Sequence, residues 1–98
     1  MEDLIGQYVI IRTHSAGVFA GILEKKEKDE VLLTNVRRIW YWEGAASLSQ
    51  LAMEGVSMPE ECKFPCEVGK IIIFNVIEII LCTEEARKNI ANVPVWKA

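Results

Sequence analysis

The chain has 98 residues, of which 51% are hydrophobic and 26% are charged, so it has the length of one domain and too much apolar content to stay disordered. Its net charge of −3 argues against a protein that binds duplex nucleic acid, because such proteins are usually basic. The apolar content is slightly high for a lone globular domain, so we expect further copies of the chain to cover part of its surface.

The first forty residues have the composition of short β-strands. Residues 8–13, 18–23, 31–33 and 37–42 are rich in β-branched and aromatic side chains and are separated by short polar or glycine-containing links. Links this short cannot make a parallel crossover, so the strands are expected to be antiparallel. The charged run at residues 24–29 predicts a solvated hairpin loop.

Two glycines suggest how this sheet is shaped. Gly17 and Gly21 stand where a small sheet could bend or where a second backbone could approach closely. The predicted fold is therefore α+β: a small, strongly bent antiparallel β core of SH3-like or Sm-like type, with two short helices, in one domain over residues 1–98.

Both helices carry sequence signals at their ends. Ser47 followed by Gln50 forms a capping-box pattern, and Gly55 is placed to end that helix after about two turns. Thr83 is the predicted N-cap of the final helix, whose first turn is acidic and whose end is marked by Asn92 and a proline.

Residues 70–82 form the longest strand candidate. Most of its residues are apolar, and its polar residues Asn75 and Glu78 fall on opposite parities, so neither face of the segment is a polar face. Both faces are therefore largely apolar. Either another subunit covers one of those faces or a bulge near Asn75 changes the alternation.

The residue types argue against catalysis and against a membrane location. The single histidine, His14, has no nucleophile placed to form a dyad with it, and no known catalytic or phosphate-loop motif occurs. Residues 71–82 are too few and too polar to span a bilayer, and the acidic start has no secretory character. We expect a cytoplasmic protein that is not an enzyme, has no cofactor and does not bind membranes.

Metal binding is not expected either. Cys62, Cys66 and Cys82 are an odd number of cysteines, and a zinc site would need His14 or a carboxylate as its fourth ligand. We interpret the three as free thiols, with no metal bound.

Residues 37–42 form the most unusual segment, Arg-Arg-Ile-Trp-Tyr-Trp. In an extended strand Arg38, Trp40 and Trp42 share one face, while Arg37 lies on the other. An arginine beside an aromatic ring suits a nucleotide, because guanidinium binds phosphate and the ring stacks on a base. A core strand with one partly buried arginine is the structural alternative.

The sequence resembles the first type of Thoeris anti-defence proteins, a family of small phage proteins. The resemblance is carried by the pattern from Gly6 to Val18, by residues 37–42 and by Gly-Ala-Ala-Ser-Leu-Ser-Gln-Leu-Ala at residues 44–52. It implies a sponge that binds cyclic ADP-ribose isomers (glycocyclic ADPR) made by TIR-domain proteins, without degrading them, in the bacterial host cytoplasm. It also implies a homo-oligomer, dimer or hexamer, with pockets between subunits and, as in some members of the family, a second site for the cyclic oligonucleotides of CBASS defence.

With this resemblance, Phe19 is expected to stack on adenine, and Arg37 or Arg38, with Arg87, to face the diphosphate. The candidate ligand-binding residues are Phe19, Arg37, Arg38, Trp40, Trp42, Arg87 and Asn92. The C-terminal tail has only Lys97 as a basic residue, so the family's tail arginines are missing. An Sm-like RNA-binding or regulatory module, a nucleotide-degrading enzyme and a structural phage component are the alternatives.

Overall fold

The computed structural model describes residues 2–98, in which five strands and two α-helices are connected by short links. The strands are β1 (Tyr8–Thr13), β2 (Val18–Glu27), β3 (Glu30–Arg38), β4 (Val68–Ile73) and β5 (Val76–Leu81). The helices are α1 (Leu48–Glu54) and α2 (Glu84–Ala91), and 3₁₀ turns occupy Glu2–Leu4 and Pro59–Glu61. The predicted α+β class with two short helices is confirmed.

The strands form one antiparallel sheet in the order β4-β3-β2-β1-β5. Only Phe74 and Asn75 separate β4 from β5 along the chain, yet these two strands lie at opposite edges of the sheet. A two-residue link can join opposite edges only if the sheet curls until its edges approach each other. The fold is therefore a strongly bent, partly open barrel, as the sequence predicts.

One close backbone approach and two register shifts allow the curl. A Cβ on Gly21 would lie 2.9 Å from the backbone oxygen of Thr34, so β2 and β3 approach there as only glycine permits. The registers shift beside it, between Ala20 and Ile22 and again between Leu23 and Lys25. Such bulges bend a strand and increase its twist, which confirms the predicted role of Gly21.

The charged run is not the hairpin loop that its composition predicts. β2 continues through Glu27, and only Lys28 and Asp29 form the turn to β3. The charged residues are accommodated because both faces of β2 are open to solvent at this end: Glu24, Lys25 and Glu27 are exposed and Lys26 is half-buried.

Two further strand boundaries differ from the prediction. Residues 31–33 and the start of 37–42 belong to one strand, β3, which passes through Asn35 in a left-handed conformation (φ 50°). The chain leaves the sheet after Arg38, so residues 40–42 are not in a strand. Residues 70–82 are two strands, because Asn75 (φ 57°) turns the chain sharply between them.

The sheet separates two hydrophobic clusters. The inner cluster is built from strand residues and lies within the curl. The outer cluster joins the other face of the sheet to both helices and to the irregular segments beside them. Alternate residues of β1 enter each of them, Val9 and Ile11 the inner and Tyr8 and Ile10 the outer.

Both helices begin at the predicted residues. The side chains of Ser47 and Thr83 accept hydrogen bonds from backbone N–H groups in the first turns of α1 and α2. Gly55 ends α1 at a φ of 80°, a conformation that favours glycine. The caps therefore fix the helix boundaries from local sequence alone.

Candidate functional site

The Arg-Arg-Ile-Trp-Tyr-Trp segment crosses the end of β3, and its six side chains divide between the core and the surface. Arg37 and Ile39 are buried, whereas Arg38, Trp40 and Tyr41 are exposed. The left-handed residue Asn35 determines which of the following side chains face the core. An extra residue in a strand moves every later side chain to the opposite face.

Arg37 is a structural residue. Its guanidinium donates hydrogen bonds to four backbone carbonyls: Phe64 O at 2.8 Å, Pro65 O at 3.2 Å, Ile90 O at 3.0 Å and Val93 O. Burial lowers the pKa of Arg37, and the carbonyls at the C-terminal end of α2 compensate the buried charge. The expectation that Arg37 faces a ligand is corrected, since its donors are already used inside the protein.

Phe19 is likewise part of the core rather than a stacking platform. Its side chain is 2% exposed and belongs to the inner cluster. The guanidinium of Arg38 lies over its ring at 4.4 Å from the centroid. A base cannot reach that ring in this conformation, so Phe19 acts by supporting Arg38.

Arg38 borders a cleft that we call the Arg38–Trp40 cleft. It holds about 230 Å³ and lies between the β1–β2 loop and the segment after β3. Its walls are Ser15, Ala16, Gly17, Val18, Arg38, Ile39, Trp40 and Trp42. Arg38, Trp40 and Trp42 therefore line one cleft, as their shared parity predicts, although residues 40–42 are not in a strand.

The three side chains of the cleft are held to different degrees. Trp42 is half-buried and donates from Nε1 to the carbonyl of Ala45 at 3.1 Å, which fixes its indole. Arg38 donates from Nη1 to the carbonyl of Ala16 at 3.0 Å, which joins the two walls. Trp40 is 65% exposed, the largest exposure among the large hydrophobic residues of the described chain. Nothing in the packing of the fold accounts for that exposure.

The β1–β2 loop is the part of this cleft that sequence reasoning missed. The register of β2 with β3 places Phe19 opposite Arg38, and this brings residues 15–18 beside the end of β3. Gly17, at a φ of 100°, was recognisable as the turn, but its distance along the chain from Arg38 concealed their proximity.

Arg87 and Asn92 do not line the cleft. The guanidinium of Arg87 lies 5.5 Å from the ring centroid of Tyr8, on the half-buried side of α2. Asn92 ends α2, and its Nδ2 donates to the carbonyl of Lys88 at 2.8 Å. Within one subunit these two predicted ligand residues have helix and packing contacts instead.

A second aromatic surface lies around Lys63. Its Nζ is 5.6 Å from the ring centroid of Tyr41 and 5.7 Å from that of Trp96. The backbone N–H of Trp96 donates to the carbonyl of Phe64, which attaches the C-terminal segment. The tyrosine hydroxyl donates to Glu43, and this hydrogen bond raises the pKa of Tyr41. Since its own lysine already lies between the rings, this surface offers less to a ligand than the cleft.

Among the described residues, two depressions larger than this cleft lie near the β2–β3 hairpin. One, of about 750 Å³, is lined by charged residues and Ile5, and the other, of about 310 Å³, lies between β2 and β5. Neither includes an aromatic side chain on which a base could stack. The larger volume therefore does not make either of them the better nucleotide site.

Two of the three thiols have structural positions, whereas Cys66 is exposed. Cys62 is buried, accepts the backbone N–H of Glu43 at 3.4 Å and lies near two carbonyls, and burial raises its pKa. Burial also raises the pKa of Cys82 to about 12. Both groups are thus held as thiols at neutral pH. Within residues 2–98 no three side chains of the histidine, cysteine and acidic types are grouped to hold a metal ion.

Comparisons with known proteins agree with this architecture. The profile of a family described as a domain of unknown function matches residues 6–90, while no curated protein matches the chain. Among solved structures, a heptameric archaeal Sm protein, described for its implications for the eukaryotic snRNP core, is similar at a TM-score of 0.55. The two chains are 18% identical, and the likeness covers 84% of this chain and 94% of that chain. At this identity the likeness shows an Sm-like fold.

Proposed function

Since the chain belongs to the family DUF6948, a domain of unknown function, we propose its role from the chemistry of the Arg38–Trp40 cleft. In this proposal the protein binds a cyclic ADP-ribose isomer made by TIR-domain defence proteins and holds it without converting it. The observation that carries the proposal is the exposed indole of Trp40 beside a supported arginine. The resemblance to Thoeris anti-defence proteins names the ligand.

The cleft has the two kinds of group that such a ligand needs. An exposed indole offers a flat apolar face on which an adenine can stack. A guanidinium forms charge-assisted hydrogen bonds to diphosphate oxygens, and Arg38 is preoriented by the Phe19 ring and by the carbonyl of Ala16. The proposal that the protein is not an enzyme rests on this set, which contains no acid, base or nucleophile other than Ser15.

The volume of the cleft limits how much of the ligand one subunit can hold. Small-molecule sites usually enclose about 300–1,000 Å³. The 230 Å³ here suits a base with part of its ribose, so we propose that a second copy contacts the remainder of the ligand. Phe19 and Arg37 act in this proposal as supporting residues only.

A homo-oligomer is part of the proposal. The similar archaeal Sm protein is heptameric, which supports an assembly of several copies for a chain with the same fold. A dimer or a hexamer remains the prediction from the resemblance, and so does a second site for cyclic oligonucleotides.

The proposed place of action is the cytoplasm of a phage-infected bacterium. No helix in residues 2–98 is long and apolar enough to cross a membrane.

An Sm-like RNA-binding module is the second candidate, and the fold likeness favours it. Trp40 and Arg38 would then hold one nucleotide of a single strand. Binding of this kind weakens steeply as salt rises, because counterions are released from the phosphates. The net charge of −3 counts against it.

Native mass spectrometry of the purified protein mixed with TIR-made cyclic ADP-ribose isomers tests the proposal directly. We expect bound ligand that returns chemically unchanged when the protein is heated. Ligand that returns cleaved would show an enzyme. If the protein does not bind the nucleotide but binds a single-stranded RNA oligonucleotide with a steep salt dependence, that result would establish the RNA-binding module instead.

Point variants locate the site. Trp40→Ala should weaken ligand binding by roughly 5- to 150-fold, the equivalent of about 1–3 kcal/mol of stacking. Trp96→Ala is the matched control, because Trp96 is also an exposed tryptophan (45%) and lies outside the cleft. Equal affinities of the two variants would show that the cleft is not the site.

A further inference from the structure

The Arg38–Trp40 cleft differs in charge from three other depressions of the described chain. Arg38 is the one charged residue among those that line the cleft. The two larger depressions, and a third of about 220 Å³ beside Leu32 and Ile72, each have at least two carboxylates in their walls. The whole chain has a net charge of −3, so a cleft with an arginine and no acid is a local exception. An anionic group in the cleft meets an opposite charge and no like charge.

The polar side chains of the cleft have unused hydrogen-bond donors. Arg38 donates from Nη1 to the carbonyl of Ala16, and its other N–H groups have no acceptor within residues 2–98. The hydroxyl of Ser15 and the indole N–H of Trp40 likewise have no hydrogen-bond partner in that part of the chain. Guanidinium and indole N–H groups donate only, and a hydroxyl donates as well as accepts. The cleft therefore suits a ligand group with several acceptor oxygens.

The loop that carries Ser15 is held in place before any ligand binds. The carbonyl of Gly17 accepts hydrogen bonds from the backbone N–H of Thr13 at 3.1 Å and from its hydroxyl at 2.8 Å. The hydrogen bond from Arg38 to Ala16 joins the same loop to the end of β3. Groups that are fixed in advance lose less entropy on binding, so this wall is preorganised for a ligand.

We propose that Ser15 and Arg38 bind the same phosphate group, while Trp40 stacks on the base of that nucleotide. The unit that the cleft recognises is then one nucleoside monophosphate, either free or as part of a larger small molecule. The inference rests on the proposed function for the place of the site. It adds Ser15 to the binding residues, and it defines the ligand class by a single nucleotide rather than by a cyclic structure.

The chemistry of the three groups fits this unit. A guanidinium can donate two parallel hydrogen bonds to a phosphate, and a phosphate monoester has a third oxygen for a hydroxyl donor. An indole can stack on any base, because every base has a π face. The cleft holds about 230 Å³, less than most small-molecule sites, which matches one nucleotide better than a ligand with two nucleosides.

AMP, adenosine and ribose 5-phosphate test the proposal, with binding to the unmodified protein followed by heteronuclear NMR. AMP should shift the backbone amide signals of residues 15–18 and the indole N–H signal of Trp40. Adenosine lacks the phosphate and should bind roughly 10- to 150-fold more weakly than AMP. Ribose 5-phosphate lacks the base and should bind roughly 5- to 150-fold more weakly. Equal affinities for AMP and adenosine would overturn the inference, and so would AMP shifts confined to other residues.

Two substitutions examine the phosphate contacts separately from stacking. Arg38→Gln should remove most of the preference for AMP over adenosine, and Ser15→Ala should reduce it by roughly 2- to 10-fold. Arg12→Gln and Ser49→Ala are the matched controls, because both residues are exposed and lie outside the cleft. Neither control should change the preference. An unchanged preference in Ser15→Ala would overturn the assignment of Ser15.

AMP and the cyclic ADP-ribose isomers together distinguish this inference from the proposed function. If the protein binds AMP at the cleft but does not bind the cyclic isomers, the single-nucleotide site stands and the proposed function is wrong. If it binds a cyclic isomer but binds AMP no better than adenosine, the proposed function stands and the inference is wrong. Binding of an RNA oligonucleotide by a protein that does not bind AMP would also overturn the inference.

Discussion

At the scale of single residues, two adjacent arginines have opposite roles. Arg37 is 3% exposed and its guanidinium is bound to four backbone carbonyls, whereas Arg38 lies at the surface of a cleft. Their parity predicts that they face opposite ways. The left-handed Asn35 decides which of the two faces inward, because it changes which side of β3 the later side chains occupy. The pattern of side chains in the sequence does not reveal this effect.

Arg37→Lys should lower the free energy of unfolding by about 3 kcal/mol, because an ammonium cannot reproduce the planar fork and leaves buried carbonyls without donors. Urea denaturation measures the loss. Arg38→Lys is the control and should change the free energy of unfolding by no more than about 0.5 kcal/mol, as is usual at a surface position. An equal effect of the two substitutions would contradict the structural role of Arg37.

At the scale of elements, the segment between β3 and α1 is shaped by close backbone contact. Gly44 adopts a φ of 93°, and a Cβ there would lie 2.5 Å from the backbone nitrogen of Ser57 and 2.6 Å from that of Met58. The backbone N–H of Ser57 donates to the carbonyl of Gly44. Gly44 therefore lets the segment before α1 lie directly against Ser57 and Met58, which follow α1.

We expect Gly44→Ala to destabilise the protein by about 2 kcal/mol or more, since both the positive φ and the backbone contact oppose a side chain. Thermal unfolding measures the effect. Gly69→Ala, where nothing lies within 4 Å of the added carbon and φ is not positive, should be near neutral. A neutral Gly44→Ala would show that this segment can shift without cost.

At the scale of the whole molecule, the two hydrophobic clusters depend on the same strand. β1 sends alternate residues into the inner and outer clusters, so neither can form while the other is lost. Leu33 belongs to the inner cluster and Leu51 to the outer one, and both are fully buried. The fold should therefore unfold as one cooperative unit.

Leu33→Ala and Leu51→Ala should each cost about 2–5 kcal/mol, as large-to-small core changes do. For both variants, unfolding followed by tryptophan fluorescence and by far-ultraviolet circular dichroism should give the same midpoint. Trp42 packs against the outer cluster, so its signal reports on that side. Separate midpoints for Leu33→Ala would show that the clusters unfold independently.

The features that depend on local chemistry could be predicted from the residues alone. The capping residues of α1 and α2 and the strand β1 follow from backbone hydrogen bonding and steric limits within a few residues. The shared face of Arg38, Trp40 and Trp42 follows from strand periodicity in the same way.

Long-range packing determines which of these residues reach solvent and which edges of the sheet stay open. Phe19 and Arg37 are suited to a ligand by type, but core packing and four carbonyls from distant segments occupy them. The two positive φ angles at Asn35 and Asn75 set the phase of β3 and separate β4 from β5. Burial and strand pairing depend on contacts between residues far apart in the chain, so residue types alone do not determine them.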